Sequence, residues 1–233
     1  NGWAWDTKMI GAFGINKNSD SDFAKKTDDR IEINSLVGKN FTKELSYSSF
    51  VNFKTQFARG YKYLNSSIGG EQRNETTRFF SPAYIQLGVG VYWKKSNDFW
   101  INMAPVTGRL IIANKKFTSN LSDGEEYFGI SKGNTSRFEL GASLTGFYKF
   151  ELIENVILEQ SLSLYSDYLQ NAENIDIDYT ISAFMKINDY LSTSLIIQCR
   201  YDDNAVKKVQ LRQVFGLAVT LDLLEIPTLI SKI

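Results

Sequence analysis

The stretch from Phe79 to Arg109, FFSPAYIQLGVGVYWKKSNDFWINMAPVTGR, decides the fold because it holds one whole hairpin. Between Ile85 and Trp93 every second residue is large and apolar: Ile85, Leu87, Val89, Val91 and Trp93. Gln86, Gly88, Gly90 and Tyr92 point the other way, and a period of two belongs to a strand with two unlike faces. Lys94, Lys95, Ser96, Asn97 and Asp98 then turn the chain, and Phe99, Ile101 and Met103 resume the apolar face against Trp100, Asn102 and Ala104. The second strand continues through Arg109 to Ile112. Pro105 cannot donate to a ladder, so a bulge or kink is expected there.

The same alternation runs outward from this hairpin in both directions. A first strand carries Trp3, Trp5, Met9 and Phe13 against Asp6 and Lys8; a second runs from Arg30 to Val37 and a third from Tyr47 to Arg59. Beyond the hairpin, a sixth strand spans Arg137 to Phe150, with Phe138, Leu140, Tyr148 and Phe150 on one face and Glu139 and Lys149 on the other. A seventh sets Leu158 and Leu162 against Glu159, an eighth Ile175 and Ile177 against Asp176, Asp178 and Lys186. The ninth sets Leu195 and Ile197 against Arg200 and Asp202, and the tenth Phe215 and Leu217 against Arg212 and Asp222. Asn16 to Asp29, Lys62 to Arg78 and Ala113 to Ser136 read as long polar loops; the intervening turns, such as Glu154-Asn155, are short.

Three regularities predict an antiparallel up-and-down transmembrane β-barrel formed by the whole chain as one domain. The strands are about nine to fourteen residues long, enough to cross a bilayer at a tilt, against about five or six for ordinary strands. Short turns alternate with long loops until the last few hairpins, as in outer-membrane barrels. Aromatic residues gather near the strand ends on the apolar face: Trp3, Trp5, Trp93, Phe99, Tyr148 and Phe150 at one rim, and Phe57, Phe138, Tyr168 and Tyr201 toward the other. The apolar set then faces lipid. Asp6, Lys8, Glu32, Lys54, Glu139, Lys149, Glu159, Asp176, Asp178, Lys186, Arg200, Asp202, Arg212 and Asp222 line the lumen. A soluble lipocalin-like barrel is the rival, but it would have to fill its interior with Trp3, Trp5, Trp93 and Phe150. Ten strands leave an open edge that cannot stand in lipid, which predicts two more N-terminal strands and closure at about twelve. The orphan hairpin signal Asn1-Gly2 agrees with that expectation.

Composition narrows the function. Across 233 residues, 26 basic side chains balance 26 acidic ones, which argues against nucleic acid as a partner. Cys199 is the single cysteine, so neither a disulfide framework nor a thiolate metal cluster is available. Histidine is absent, and a Ser-His-Asp triad cannot be built. Asp176 and Asp178 share a strand face where acid-base work is conceivable, but lumenal carboxylates paired with neighbouring cations explain them more simply. The loop acids Asp20 and Asp22, Asp28 and Asp29, and Asp202 and Asp203 lack the spacing of a known calcium loop. No cofactor and no enzymatic activity are expected.

Several segments are similar to a family of Bacteroidota outer-membrane proteins that carry a domain of unknown function. They are TDDRIEINSLVG, NFKTQFARGYKY, SPAYIQLGVGVYWKKSNDFWINMAPVTGR, NIDIDYTISAFMKIN, YDDNAVKK and RQVFGLAV, which together reach over nearly the whole chain. The resemblance implies an outer-membrane β-barrel with no assigned activity and with two further strand segments ahead of GWAWD. Members tend to finish on an aromatic residue in the last strand, whereas this chain runs on through Leu223 to Ile233. Two function classes follow. One is a structural or accessory subunit of a larger outer-membrane complex, its lumen filled by paired charges and its wall and loops, Ala113 to Ser136 above all, holding other membrane proteins. The other is a small-solute channel. Balanced lumenal charge and a narrow barrel favour the first.

Overall fold

The computed structural model describes residues 2–65, 70–170, 172–202 and 206–220. Its main body is one ten-stranded antiparallel sheet. The strands of that sheet are β1 (Trp3–Asn16), β2 (Lys25–Asn40), β3 (Leu45–Thr55), β6 (Ala83–Lys94), β7 (Phe99–Ile112), β10 (Ser136–Ile153), β11 (Val156–Asp167), β12 (Ile175–Lys186), β13 (Leu191–Asp202) and β14 (Val206–Val219), each beside its predecessor. Smaller pieces lie between them: β4 (Gly60–Asn65) with β5 (Glu71–Thr77), α1 (Lys115–Thr118), and β8 (Glu126–Tyr127) with β9 (Ile130–Ser131).

The connections after β2, β6, β10 and β12 are short and fall at one end of the sheet, the turn-side rim, and three of them share one local solution. Thr42 Oγ1 accepts from the N–H of Leu45, Ser96 Oγ from that of Phe99 and Asn188 Oδ1 from that of Leu191. In each case a side-chain oxygen takes the N–H that the turn would otherwise leave unpaired, as Ser, Thr and Asn do in loops. The long connections lie at the opposite, loop-side rim. At Pro105 the register slips on both neighbours of β7: Val89 faces Val106 while Val91 faces Met103, and Gly141 faces Thr107 while Ser143 faces Ala104. The expected bulge is there. It draws the backbones so close that a Cβ on Gly90 would lie 1.9 Å from the Met103 carbonyl oxygen.

Polarity is distributed inside out. Buried hydrophobic residues are few, and Ile111, Ala113 and Ile130 form one small cluster with Tyr84 and Tyr127. Large apolar residues instead cover the outer face, among them Trp3 (64% exposed), Leu87 (53%), Val89, Met103, Phe138 and Leu217. Contiguous exposed apolar surface on this scale marks an interaction surface.

Several expectations change. The third strand ends at Thr55, not Arg59, because the Asp29 carboxylate accepts from the N–H groups of Phe57 and Ala58 at 2.7 and 2.9 Å and withdraws them from the ladder. The polar loop from Lys62 to Arg78 contains most of the β4–β5 hairpin, held by Arg73 between the Phe23 and Tyr61 rings at 4.4 Å from each and by a Lys25–Glu71 ion pair. The segment from Ala113 to Ser136 contains α1, β8 and β9. The barrel is not closed: among the described residues β1 and β14 are the two edges of the sheet and are not paired with each other. The sheet nonetheless curls far enough for Arg212 on β14 to reach Asp28 on β2 at 2.7 Å. Both edge strands expose both of their faces.

Candidate functional site: a polar well inside the curled sheet

The inner face of the sheet encloses a cavity of about 850 Å³. The bulge decides much of its chemistry. Before it, Trp100 and Asn102 point inward; one extra residue reverses the parity, so that Thr107, Arg109 and Ile111 point inward after it. Arg109 then meets Glu139 directly across the ladder at 2.5 Å and reaches along the inner wall, over β10 and β11, to Asp176 on β12 at 2.7 Å, with its guanidinium 4.0 Å above the Tyr165 ring. Arg137 pairs Glu139 at 3.1 Å and Asp167 at 3.5 Å. Glu139 is wholly buried, and it lies between these two guanidinium groups. Such a charge is tolerable only with partners of this quality.

Around the wall from this bridge runs a softer network. Glu32 accepts from Asn34 at 2.9 Å and faces Lys54 at 3.7 Å, and Asn52 donates to Asn34. Gln198 donates to Asp178 at 2.8 Å, and Arg200 pairs Asp202 at 3.2 Å.

On the loop side the lumen is covered. The 113–135 segment lays Ile130 and Tyr127 against Ile111, and Tyr127 donates to the carbonyl oxygens of Thr76 and Ser81. Glu75 binds Arg78 at 2.7 Å and Lys116 at 2.6 Å, tying the β4–β5 hairpin to α1. Hydrogen bonds from Arg78 and Lys116 hold the Glu75 carboxyl down at about 2. The tie therefore stays charged at every ordinary pH.

The sequence-derived lumenal set divides on this geometry. Asp6, Lys8, Glu32, Lys54, Asp176, Asp178, Arg200 and Asp202 line the cavity. Glu139 sits in the buried ion bridge, and Lys149 pairs with Glu159 at 3.1 Å nearer the turn-side rim. Lys186 is exposed at that rim and paired with Asp189, since its strand ends there, and Arg212 stands at the open seam with Asp28. Asp222 lies outside the described residues. Arg109, Arg137 and Tyr165 are missed, while Arg30 and Asp167 fall on the expected lumenal face without being singled out; the bulge reverses the apparent face of Arg109, whereas Arg137 and Tyr165 keep the alternation of Glu139 and Glu159.

The aromatic residues also separate by face. Trp93, Phe99, Tyr148 and Phe150 form a continuous outer chain of rings, with neighbouring centroids 5.3, 5.8 and 4.9 Å apart. Trp3 and Trp5 are exposed on the outer face at the same rim. Phe57, Phe138 and Tyr168 are exposed toward the loop side.

Comparison with known proteins adds one result. A family model described as a protein of unknown function (DUF3078) matches residues 1–61, which cover β1 to β3 and the first residues of β4. No curated protein matches the chain.

Proposed function

We propose that this chain forms most of the wall of a transmembrane β-barrel in the bacterial outer membrane, with a closed lumen, and serves as a structural or accessory subunit of a larger outer-membrane assembly. The observation that carries the reading is the inversion of polarity, with Leu87, Met103 and Leu217 exposed outside while Glu139 is buried inside between two arginines. In lipid, such a wall is solvated by acyl chains and the charges keep each other company. Short turns after β2, β6, β10 and β12, and longer connections at the other rim after β1, β3, β7 and β11, fit the periplasmic and external faces of such a barrel. The chain's similarity to an outer-membrane family of the Bacteroidota supports the same location.

The free edges of β1 and β14 cannot stand in lipid, where unpaired backbone groups find no water. Closure of these two edges completes the wall, and an even number of strands keeps every neighbouring pair antiparallel. Cover on the loop side supports the accessory role: the Arg109–Asp176 bridge lies along the inner wall over β10 and β11, and Tyr127 and Ile130 of the 113–135 segment pack on Ile111. A solute channel is the competing reading, favoured by the polar cavity. Planar-bilayer recording of the full-length protein separates the two. We expect no steady single-channel conductance, together with co-purification of other outer-membrane proteins; a large, steady, open conductance overturns the closed-barrel reading.

A further inference from the structure

We propose that the lumenal well is a binding site for an uncharged, hydroxyl-rich solute of the size of a short oligosaccharide, entering from the turn-side rim. The inference deepens the closed-barrel reading and rests on its inward-facing polar wall. The well is one-ended. Its lining runs from Lys43 and Lys94 at the turn-side rim to Arg109 and Asp176, and residues 113–135 take no part in it. Ile111 and Ile130 pack on the far side of that floor. A volume of about 850 Å³ falls within the range of about 300–1,000 Å³ usual for small-molecule sites.

The chemistry of the lining selects the class of ligand. Near the mouth, among Lys43, Glu44 and Lys94, the inner wall carries aromatic faces: Trp100 stacks on Phe147 with centroids 6.0 Å apart, and Tyr92 lies 5.7 Å from Trp100. Flat apolar faces beside polar groups suit the C–H face of a sugar ring. Deeper in, the carboxamides of Asn34, Asn52, Gln86 and Gln198 offer donors and acceptors together, which is what hydroxyl groups require. Arg109 with Asp176, Arg200 with Asp202 and Lys54 with Glu32 neutralise one another, leaving little field to draw an ion.

A separate observation points to a ligand. Tyr165 is 5% exposed and lines the well, yet its hydroxyl has no hydrogen-bond partner among the described residues; the same holds for the buried Nε of Arg30, also in the lining. Buried polar groups are nearly always paired, so these two donors, covered in the wall of one cavity, gain an acceptor when the lining shifts to admit a hydroxyl group to them.

The test is calorimetric titration of the detergent-solubilised full-length protein with maltotriose and with tri-N-acetylchitotriose. Saturable binding of either is expected. Tyr165→Phe, which removes one hydroxyl, should weaken it about three- to tenfold. Trp100→Ala should weaken it about tenfold or more, while Trp100→Phe keeps a ring and most of the affinity. Trp93→Phe, on the outer wall, should change nothing. Absence of saturable binding at millimolar concentrations, which leaves water as the occupant, or equal binding by Tyr165→Phe, Trp100→Ala and the parent protein, overturns the inference. A conducting barrel that still binds a trisaccharide overturns the closed lumen alone, and a silent barrel that binds neither overturns the binding site alone.

Discussion

Leu87→Arg is expected to destabilise the protein in a bilayer by about 2–4 kcal/mol, the cost of an arginine facing lipid near mid-membrane. Leu87 lies midway along β6, faces outward and is 53% exposed. If water surrounded that face, the change would fall within about 0.5 kcal/mol, as surface substitutions do, and would improve solubility. The neighbouring Gln86 provides the internal control because it points into the well beside Arg109, its ladder partner. Gln86→Glu, one residue away on the opposite face, places a carboxylate next to an arginine and should be tolerated. Urea unfolding of both variants in lipid vesicles, followed by tryptophan fluorescence, gives the two shifts side by side. Equal small shifts would remove the case for lipid on the outer face.

Arg109→Ala carries the second large effect. Glu139 is 0% exposed, and Arg109 is one of two guanidinium groups beside it. Asp176 on β12 is held by the same side chain across β10 and β11, so one substitution disturbs carboxylates on two strands that are not neighbours. Breaking a buried pair by removing one partner costs about 3–5 kcal/mol, far more than the pair itself contributes, because a buried charge is left short of partners. Lys149→Ala is the contrast. Its pair with Glu159 leaves both side chains about a third exposed, and the loss should stay under about 1 kcal/mol. The difference between the two urea midpoints in detergent micelles measures it. Similar midpoints would mean that the bridge does not organise the interior.

Much of this architecture is legible in the residues, and what is not has identifiable causes. The ten long strands announce themselves because one face is apolar and the other polar, so a period of two survives along their length. The β4–β5 hairpin escapes notice because Glu71, Gln72, Arg73, Asn74 and Glu75 are polar on both faces and give no alternation to read. The loop-side cover is hidden for a related reason. Asp123-Gly124 and Gly133-Asn134 are turn sequences, with φ of +85° at Gly124 and +79° at Gly133, but nothing local says that Ile130 and Tyr127 between them will pack on Ile111. Arg109 is a sharper case: strict alternation from Phe99 would put it on the apolar face, and only the bulge at Pro105 turns it inward. The bulge is readable from the proline; the reversal of face that follows requires knowing that one residue, not two, is inserted. Arg137, Asp167 and Tyr165 become a site only when β7, β10 and β11 lie side by side.

Depth-resolved quenching of tryptophan fluorescence shows directly which face of the sheet meets lipid, because the four tryptophans of the chain sit on both faces. Trp3 and Trp93 stand on the outer face at the turn-side rim, while Trp100 lines the well only one strand away from Trp93. Single-tryptophan variants carrying Trp3, Trp93 or Trp100, with the other positions changed to Phe, are reconstituted in vesicles whose acyl chains carry bromine at defined depths. A lipid-facing outer wall gives strong quenching of Trp3 and Trp93, greatest with bromine near the headgroups, and little quenching of Trp100 at any depth. Quenching of Trp100 as strong as that of Trp93, or no quenching of Trp3 and Trp93, would contradict it.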